Sequence, residues 1–184
     1  KLNVKLIGAD GGVVMGTLGN THYALEDIAI TRAMPSLTVL SPADGLEIVK
    51  ATFAAAEMKG PVYIRLTGAA DNPIVYRGDY DYQIGRAITL RDGADVAIIA
   101  TGTMVAESME AAAILEKKGI SARVIDMHTI KPLDVEMIRS ACRETGALFT
   151  VEEHSVLGGL GGAVAEVAAE TANSPQLVRI GLPD

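Results

Sequence analysis

The residue with the clearest chemical potential is His22, which lies in the stretch Thr17–Asp27 after a glycine-rich loop. The glycines permit sharp turns, and Asn20 or Thr21 is a suitable cap for a helix that follows. The pattern predicts an imidazole fixed where loop meets helix, a position suited to proton transfer near neutral pH. Packing of the first helical turn is the alternative role for a lone histidine.

Arg65 is the second candidate, near the carboxyl end of the predicted strand Pro61–Leu66, where it alternates with Val62 and Ile64. Open α/β sheets bind their ligands at this edge. A guanidinium there can hold a phosphate or a carboxylate with two parallel hydrogen bonds. A salt bridge to a carboxylate of the same chain is an equally good interpretation.

The remaining candidate residues are explained by packing or by chain connections and need no chemical role. Gly158–Gly162 follows a strand and opens a helix, but its glycines lack the dinucleotide-binding order, so tight packing of helix on strand is the better interpretation. Glu152–His154 has no partner at a recognised metal spacing, and no metal ligand is predicted. His128 belongs to a strand-to-helix connection, and Cys142 is expected to be a small buried residue.

Composition excludes several functional classes. The formal charge of −7 from 16 basic and 23 acidic residues argues against a surface for nucleic acid or anionic membranes. No apolar run reaches the length of a membrane span. A single cysteine excludes an intrachain disulfide, and we expect a cytoplasmic location.

The elements that would position these residues alternate between strand and helix, which predicts parallel βαβ units. The fold class is therefore α/β, with two three-layer units whose sheets are mainly parallel, the first of them incomplete. We predict a first unit at residues 1–72, a connection at 73–92 and a second unit at 93–184. Strands are predicted in the first unit at Val4–Ile7, Leu37–Leu40 and Pro61–Leu66, and beyond it at Gln83–Leu90, Asp95–Ala100, Ala122–Met127, Ala147–Val151 and Leu177–Ile180.

Several segments, in this order, resemble the transketolase family. Four segments resemble its pyrimidine-binding domain: Leu18–Asp27, Met34–Val39, Pro42–Asp44 and Gly60–Arg65. Three later segments resemble its C-terminal domain: His128–Asp134, Thr150–His154 and Gly158–Gly161. The residues of these segments are most similar to those of the smaller, C-terminal subunit of two-subunit transketolases.

The resemblance implies an enzyme that uses thiamine diphosphate and Mg²⁺ to move a two-carbon ketol unit between sugar phosphates. It implies catalysis by His22 near the cofactor and binding of the sugar phosphate by Arg65. The family's metal–diphosphate motif and activating glutamate do not occur in this sequence. The resemblance therefore implies an N-terminal section or subunit as partner, a homodimer, and no activity of this chain alone; cofactor-binding residues within the chain stay unassigned.

Two positions depart from the family pattern and leave the substrates open. Leu18 stands where the family commonly has an aspartate that contacts a substrate hydroxyl, and Asp10 stands where it has a second histidine. The alternatives are a related enzyme, either deoxyxylulose-phosphate synthase or a 2-oxoacid dehydrogenase β subunit, and a non-catalytic assembly module of the same fold.

Overall fold

The computed structural model describes residues 2–67 and 72–183, which form two sheets flanked by five α-helices. The strands are β1 (Lys5–Gly8), β2 (Thr38–Leu40), β3 (Val62–Arg65), β4 (Ile88–Arg91), β5 (Val96–Ala100), β6 (Ala122–Asp126), β7 (Thr129–Lys131), β8 (Ala147–Ser155) and β9 (Gln176–Leu182). The helices are α1 (Asp27–Ala33), α2 (Gly45–Glu57), α3 (Met104–Glu116), α4 (Val135–Glu144) and α5 (Leu160–Ala169). The predicted α/β class with mainly parallel sheets is confirmed.

The first sheet has the strand order β1-β3-β2-β7. Strands β1, β3 and β2 run parallel, as the alternation of strands and helices predicts. Strand β7 was not predicted. It comes from the second half of the chain and pairs antiparallel with β2, so the second half of the chain completes one edge of the first sheet.

The second sheet has the order β4-β6-β5-β8-β9. Four of its strands are parallel, and β4 joins β6 antiparallel. The predicted strand Gln83–Leu90 is shorter than expected and shifted, because only Ile88–Arg91 pairs. Strand β8 is longer than predicted and carries Glu152–His154 within it.

The largest hydrophobic core is shared by the two sheets. It brings together Ile28 of α1, Val39 of β2, Ile99 of β5 and Leu160 of α5. Helix α2 covers the other face of the first sheet, and α3 covers the other face of the second. The two units are therefore packed together as one body.

The expected connection at 73–92 crosses the seam between the sheets, and its Tyr76 and Tyr80 rings stack with centroids 4.0 Å apart. Residues 68–71, which the sequence assigns to the end of the first unit and the approach to the connection, lie outside the described residues. No helix in the described ranges is long and apolar enough to cross a membrane.

Candidate functional site

His22 lies at the end of a short 3₁₀ segment, Gly16–His22, on the surface of the first unit. Its side chain is exposed, and its Nδ1 atom lies 2.9 Å from the Thr21 hydroxyl. The Thr21 hydroxyl also donates to the carbonyl of Leu18 at 3.4 Å. The imidazole is thus accessible while one of its nitrogens is engaged by a neighbouring side chain.

The predicted helix start at Asn20 or Thr21 is wrong. Helix α1 begins at Asp27, and its N-cap residue is Glu26, without a capping hydrogen bond from a side chain. The reason is that Gly19 takes φ of 72° and ψ of −167°, a conformation that no helix accepts and that L-residues rarely adopt. His22 therefore belongs to a loop that precedes the helix.

This loop is closed at its base by the backbone. Gly12 and Ala24 exchange two hydrogen bonds, of 2.9 and 3.1 Å, and so pair the two ends of the excursion that carries His22. The amide of Gly11 donates to the carbonyl of Leu66 next to β3. The His22 loop (residues 13–23) is therefore anchored to the first sheet although its outer part faces solvent.

Arg65 lies beneath the base of the His22 loop and is 2% exposed. Its Nε donates to both carboxylate oxygens of Asp27, at 3.2 and 2.9 Å. Its Nη2 donates to the carbonyls of Ala24 and Glu153, at 3.2 and 2.8 Å. The guanidinium thus connects α1, the His22 loop and β8 of the second unit.

The buried pair with Asp27 is the salt bridge that the sequence left as the alternative for Arg65. Tyr63 donates to the same carboxylate at 2.8 Å, and burial is the largest cause that raises the pKa of this phenol above its usual value. A Cβ atom on Gly11 would lie 2.9 Å from the Arg65 guanidinium, so glycine is needed where the loop passes. Phosphate binding by Arg65 stays a prediction.

Glu153 fastens the loop to the second unit. Its Oε1 accepts from the amide of Val13 at 2.8 Å, and its Oε2 accepts from the hydroxyl of Thr103, the N-cap residue of α3, at 2.9 Å. Gly12 has φ of +81°, and a Cβ atom there would collide with the Glu153 carboxyl group. The seam between the units thus has a fixed geometry directly under the His22 loop.

Glu152 and the glycine-rich segment 158–162 form an internal anion site. The Glu152 carboxylate accepts from the amides of Leu160 and Gly161, both at 2.7 Å, at the start of α5. A Cβ atom on Gly159 would collide with this carboxylate. The N-terminus that could bind a phosphate is therefore occupied by a side chain of the chain itself, in line with the structural interpretation of the segment.

The other two histidines are buried. His154 Nε2 accepts from the amide of Ala29 in α1 at 3.3 Å, and its Nδ1 contacts the carbonyl of Ser155 at 2.7 Å. His128 stacks on Tyr82 with ring centroids 4.3 Å apart, and burial lowers its pKa to about 4. Both join the two units, and neither lies beside His22 on the surface.

Within residues 2–67 and 72–183, no group of three or more histidine, cysteine, aspartate or glutamate side chains could hold a metal ion. The starts of α3 and α5, where an anion could bind, face Glu153 and Glu152. The described donor set thus does not fit Mg²⁺ with a diphosphate. Among the described residues, the arrangement supplies an exposed imidazole on a loop that is anchored at its base.

The sequence missed the partners that organise this site. Asp27 stands inside the recognised motif, yet its pairing with Arg65 joins residues 38 positions apart. The sequence predicted no role for Glu153, although it bridges the loop and α3. The signal in the sequence was the alternation of side chains along a strand. If β8 is extended to include Glu152 and Glu153, the two carboxylates lie on opposite faces of the sheet.

Two family descriptions match the chain: "Transketolase, pyrimidine binding domain" over residues 1–70 and "Transketolase, C-terminal domain" over residues 85–184. The chain belongs to the transketolase family. The division between the two matches falls within the connection that crosses the seam.

Named relatives agree with this assignment. The chain is 45% identical, over 99% of its length and 58% of the relative's, to an apulose-4-phosphate transketolase subunit of Phocaeicola vulgatus. It is 43% identical, over 100% of its length and 58% of the relative's, to "Putative transketolase C-terminal section" of Methanocaldococcus jannaschii. This transketolase-family chain thus spans little more than half the length of these curated relatives.

A solved structure described as "Split gene transketolase, inactive beta4 tetramer" superimposes with a TM-score of 0.91 at 44% identity. The superposition covers 100% of this chain and 59% of that one. Both units of the transketolase-family chain, including their packing against each other, thus resemble an experimentally known arrangement.

Proposed function

We propose that this chain is the C-terminal part or small subunit of a thiamine-diphosphate-dependent transketolase that transfers a two-carbon ketol unit between sugar phosphates. The observation that carries the proposal is the position of His22, exposed on a loop whose base is locked by Arg65, Asp27 and Glu153. An accessible imidazole on a rigid support suits proton transfer to and from a bound sugar.

His22 is the proposed catalytic residue, and its contacts support a different role for each nitrogen. In the form that we propose for catalysis, the Thr21 hydroxyl donates to Leu18 and accepts from Nδ1–H of His22. Nε2 then carries the lone pair and is the atom that accepts a proton from a substrate hydroxyl. Thr21 is a positioning residue in this arrangement because it fixes the tautomer.

We propose that Arg65 contacts the substrate's phosphate from the side of the His22 loop. Its Nε and Nη2 donate to the protein. Nη1 has no hydrogen-bond partner among the residues that the structure describes, so it is the nitrogen through which such a contact would form.

A partner polypeptide is proposed to complete the enzyme. Strand β1 is an edge strand of the first sheet. Its residues Leu6 and Ile7 point to opposite faces, and their exposed fractions are 51% and 54%. A strand that is apolar on both faces is typical of the interior of a parallel sheet. This surface supports both a partner that covers β1 and the self-association expected for the family.

Thiamine diphosphate and Mg²⁺ are proposed as the cofactors of the complete assembly. Because the described residues do not provide a metal–diphosphate site, we assign that site to the N-terminal section. The chemistry of bond cleavage belongs to the cofactor, and the part of this chain is to present the His22 loop and to fix its geometry.

Reconstitution tests the proposal. The purified chain alone is expected to bind thiamine diphosphate with Mg²⁺ weakly by calorimetry and to show no ketol transfer. Mixed with a transketolase N-terminal section, it should gain cofactor-dependent transfer between sugar phosphates. Micromolar cofactor binding by the chain alone, or no transfer after a stable complex has formed, would each contradict the proposal.

A further inference from the structure

Two buried carboxyl groups meet at the seam between the units. Glu47 comes from α2 of the first unit and Asp126 from the end of β6 in the second, and both residues are 0% exposed. The Tyr76 hydroxyl binds Asp126 and the Tyr80 hydroxyl binds Glu47. Because the two tyrosine rings stack with centroids 4.0 Å apart, the two carboxyl groups belong to one buried cluster. They are well separated in sequence, and neither takes part in the site around His22.

The donors around this pair leave one oxygen without a partner. Glu47 accepts from the amide of Ala43 at 2.7 Å and from the Tyr80 hydroxyl at 3.0 Å. Asp126 accepts through Oδ2 from the Tyr76 hydroxyl at 2.7 Å. Among the described residues no N–H or O–H donates to Asp126 Oδ1. A hydrogen bond between Asp126 and Glu47 therefore requires that one of the two carboxyl groups carries a proton.

The surrounding charges favour the protonated pair. The neighbouring carboxylate, Asp44, accepts from the amides of Glu47, Val75 and Tyr76, and so adds a third acidic group nearby. Lys50, on the same helix as Glu47, lies 4.9 Å above the Tyr80 ring and pairs with the exposed Asp79 at 2.5 Å. No positive side chain is recorded in contact with Glu47 or Asp126 in the described part of the chain.

The other titratable neighbours stay neutral. Burial and the nearby carboxyl groups raise the pKa of Tyr76, Tyr80 and Tyr82, so these phenols keep their protons. Burial lowers the pKa of His128 to about 4, so its ring supplies no charge at neutral pH. The donors present can stabilise one negative charge on the pair, but a second would be a buried and uncompensated charge.

We propose that Glu47 and Asp126 share a single proton, and that this proton is a pH-sensitive lock between the two units and the connection that covers them. With the proton present, Tyr76 and Tyr80 bind the pair and hold the connection across the seam. Loss of the proton places two like charges close together in the buried seam, which weakens the packing of the two units and of the connection.

The direction of the pH dependence follows from burial. Burial is the main cause that raises the pKa of Glu47 from 4.5 to about 7, and it raises the pKa of Asp126 well above its usual value. The folded state then holds one proton more than the unfolded state between about pH 4.5 and 7. Stability from the pair is complete below this window, falls as pH rises through it and is absent above it.

Unfolding of the purified chain by urea at a series of pH values tests the lock. The extra proton on the pair alone makes the unfolding constant rise about tenfold per pH unit within the window. His128, whose pKa is lowered from 6.5 to about 4, contributes an opposite slope, so the effect of the pair is measured as the difference between wild type and variant. Glu47→Gln and Asp126→Asn each replace the shared proton with a permanent N–H donor and should remove this part of the slope. Glu57→Gln, on the exposed side of the same helix, is the matched control and should keep it.

Two readouts keep the proposal testable if a variant does not fold. The wild-type infrared spectrum should show the carbonyl band of a buried protonated carboxylic acid at pH 6, and this band should vanish by about pH 8. Protease cleavage within residues 73–92 should accelerate over the same range. An absent band, or a slope unchanged in both folded amide variants, would overturn the proposal.

Discussion

Glu152 and Glu153 are neighbours in β8, yet each carboxylate holds the start of a different helix on an opposite face of the second sheet. Glu152 binds the first amides of α5, and Glu153 binds the N-cap residue of α3. The alternation of a strand produces this division. Ligands usually bind at this edge of the sheet in α/β folds. Here the two carboxylates at this edge bind the starts of two helices of the same chain.

The first prediction follows from Glu152. Glu152→Ala should lower the free energy of unfolding by about 2–4 kcal/mol, because it leaves the buried amides of Leu160 and Gly161 without acceptors. Urea unfolding at neutral pH measures this loss. Glu170→Ala, at the exposed end of the same helix, is the control. A loss equal to the control's would mean that the amides find other acceptors.

The second prediction concerns Arg65. Arg65→Ala should lower the free energy of unfolding by about 3–5 kcal/mol, since it removes the buried guanidinium and leaves Asp27, whose side chain is 16% exposed, without its partner. Changing both residues, as Asp27→Asn with Arg65→Met, should restore part of the loss. In the reconstituted enzyme, a structural role reduces kcat/KM equally for phosphorylated and unphosphorylated sugars. A loss confined to the KM of phosphorylated sugars would instead support phosphate binding.

The third prediction concerns His22. His22→Ala in the reconstituted enzyme should lower kcat by roughly 10²–10⁴-fold, the usual contribution of a positioned acid–base group. The melting temperature should stay unchanged, because the side chain is exposed. His22→Asn should be nearly as impaired, as it cannot carry a proton. Tyr23→Phe, an exposed neighbour that keeps its ring, should leave kcat close to wild type. Loss of stability with normal turnover would assign His22 to packing.

The fourth prediction concerns β1. Leu6→Asp and Ile7→Asp each place a charge on one face of the exposed strand and should weaken association with the N-terminal section or with a second copy of the chain. Analytical ultracentrifugation at several concentrations measures both. Ile114→Asp, equally apolar and 55% exposed on α3, is the comparison. If Ile114→Asp weakens association and the two β1 variants do not, the interface lies on the second unit.

Local chemistry was predictable from the sequence wherever a short-range signal decided the structure. Asp44 and Asp134 each cap a helix, because the carboxylate accepts a hydrogen bond from the amide three residues further along the chain. An aspartate before an amphipathic run satisfies an amide that lacks a partner within the helix. Such a signal needs no knowledge of distant residues.

Long-range partners were not predictable in the same way. The strand β7 has only three residues and precedes a proline, so nothing local identifies it as the antiparallel edge of a distant sheet. Whether Arg65 binds a ligand or Asp27 depends on how α1 packs on β3, which the pattern of strands leaves open. The sequence predicted His22 at the start of a helix, whereas it lies in the loop before α1, because that boundary depends on one glycine conformation.

The pairing of β7 with β2 also has a consequence for the order of events during synthesis. The amino-terminal sheet cannot acquire its last strand until residue 131 has left the ribosome, by which time β5 and β6 are already available. Chains emerge at only about 5–20 residues per second. The nascent segment that carries β2 therefore waits for several seconds with this strand edge unpaired, and an unpaired edge can associate with strands of other chains.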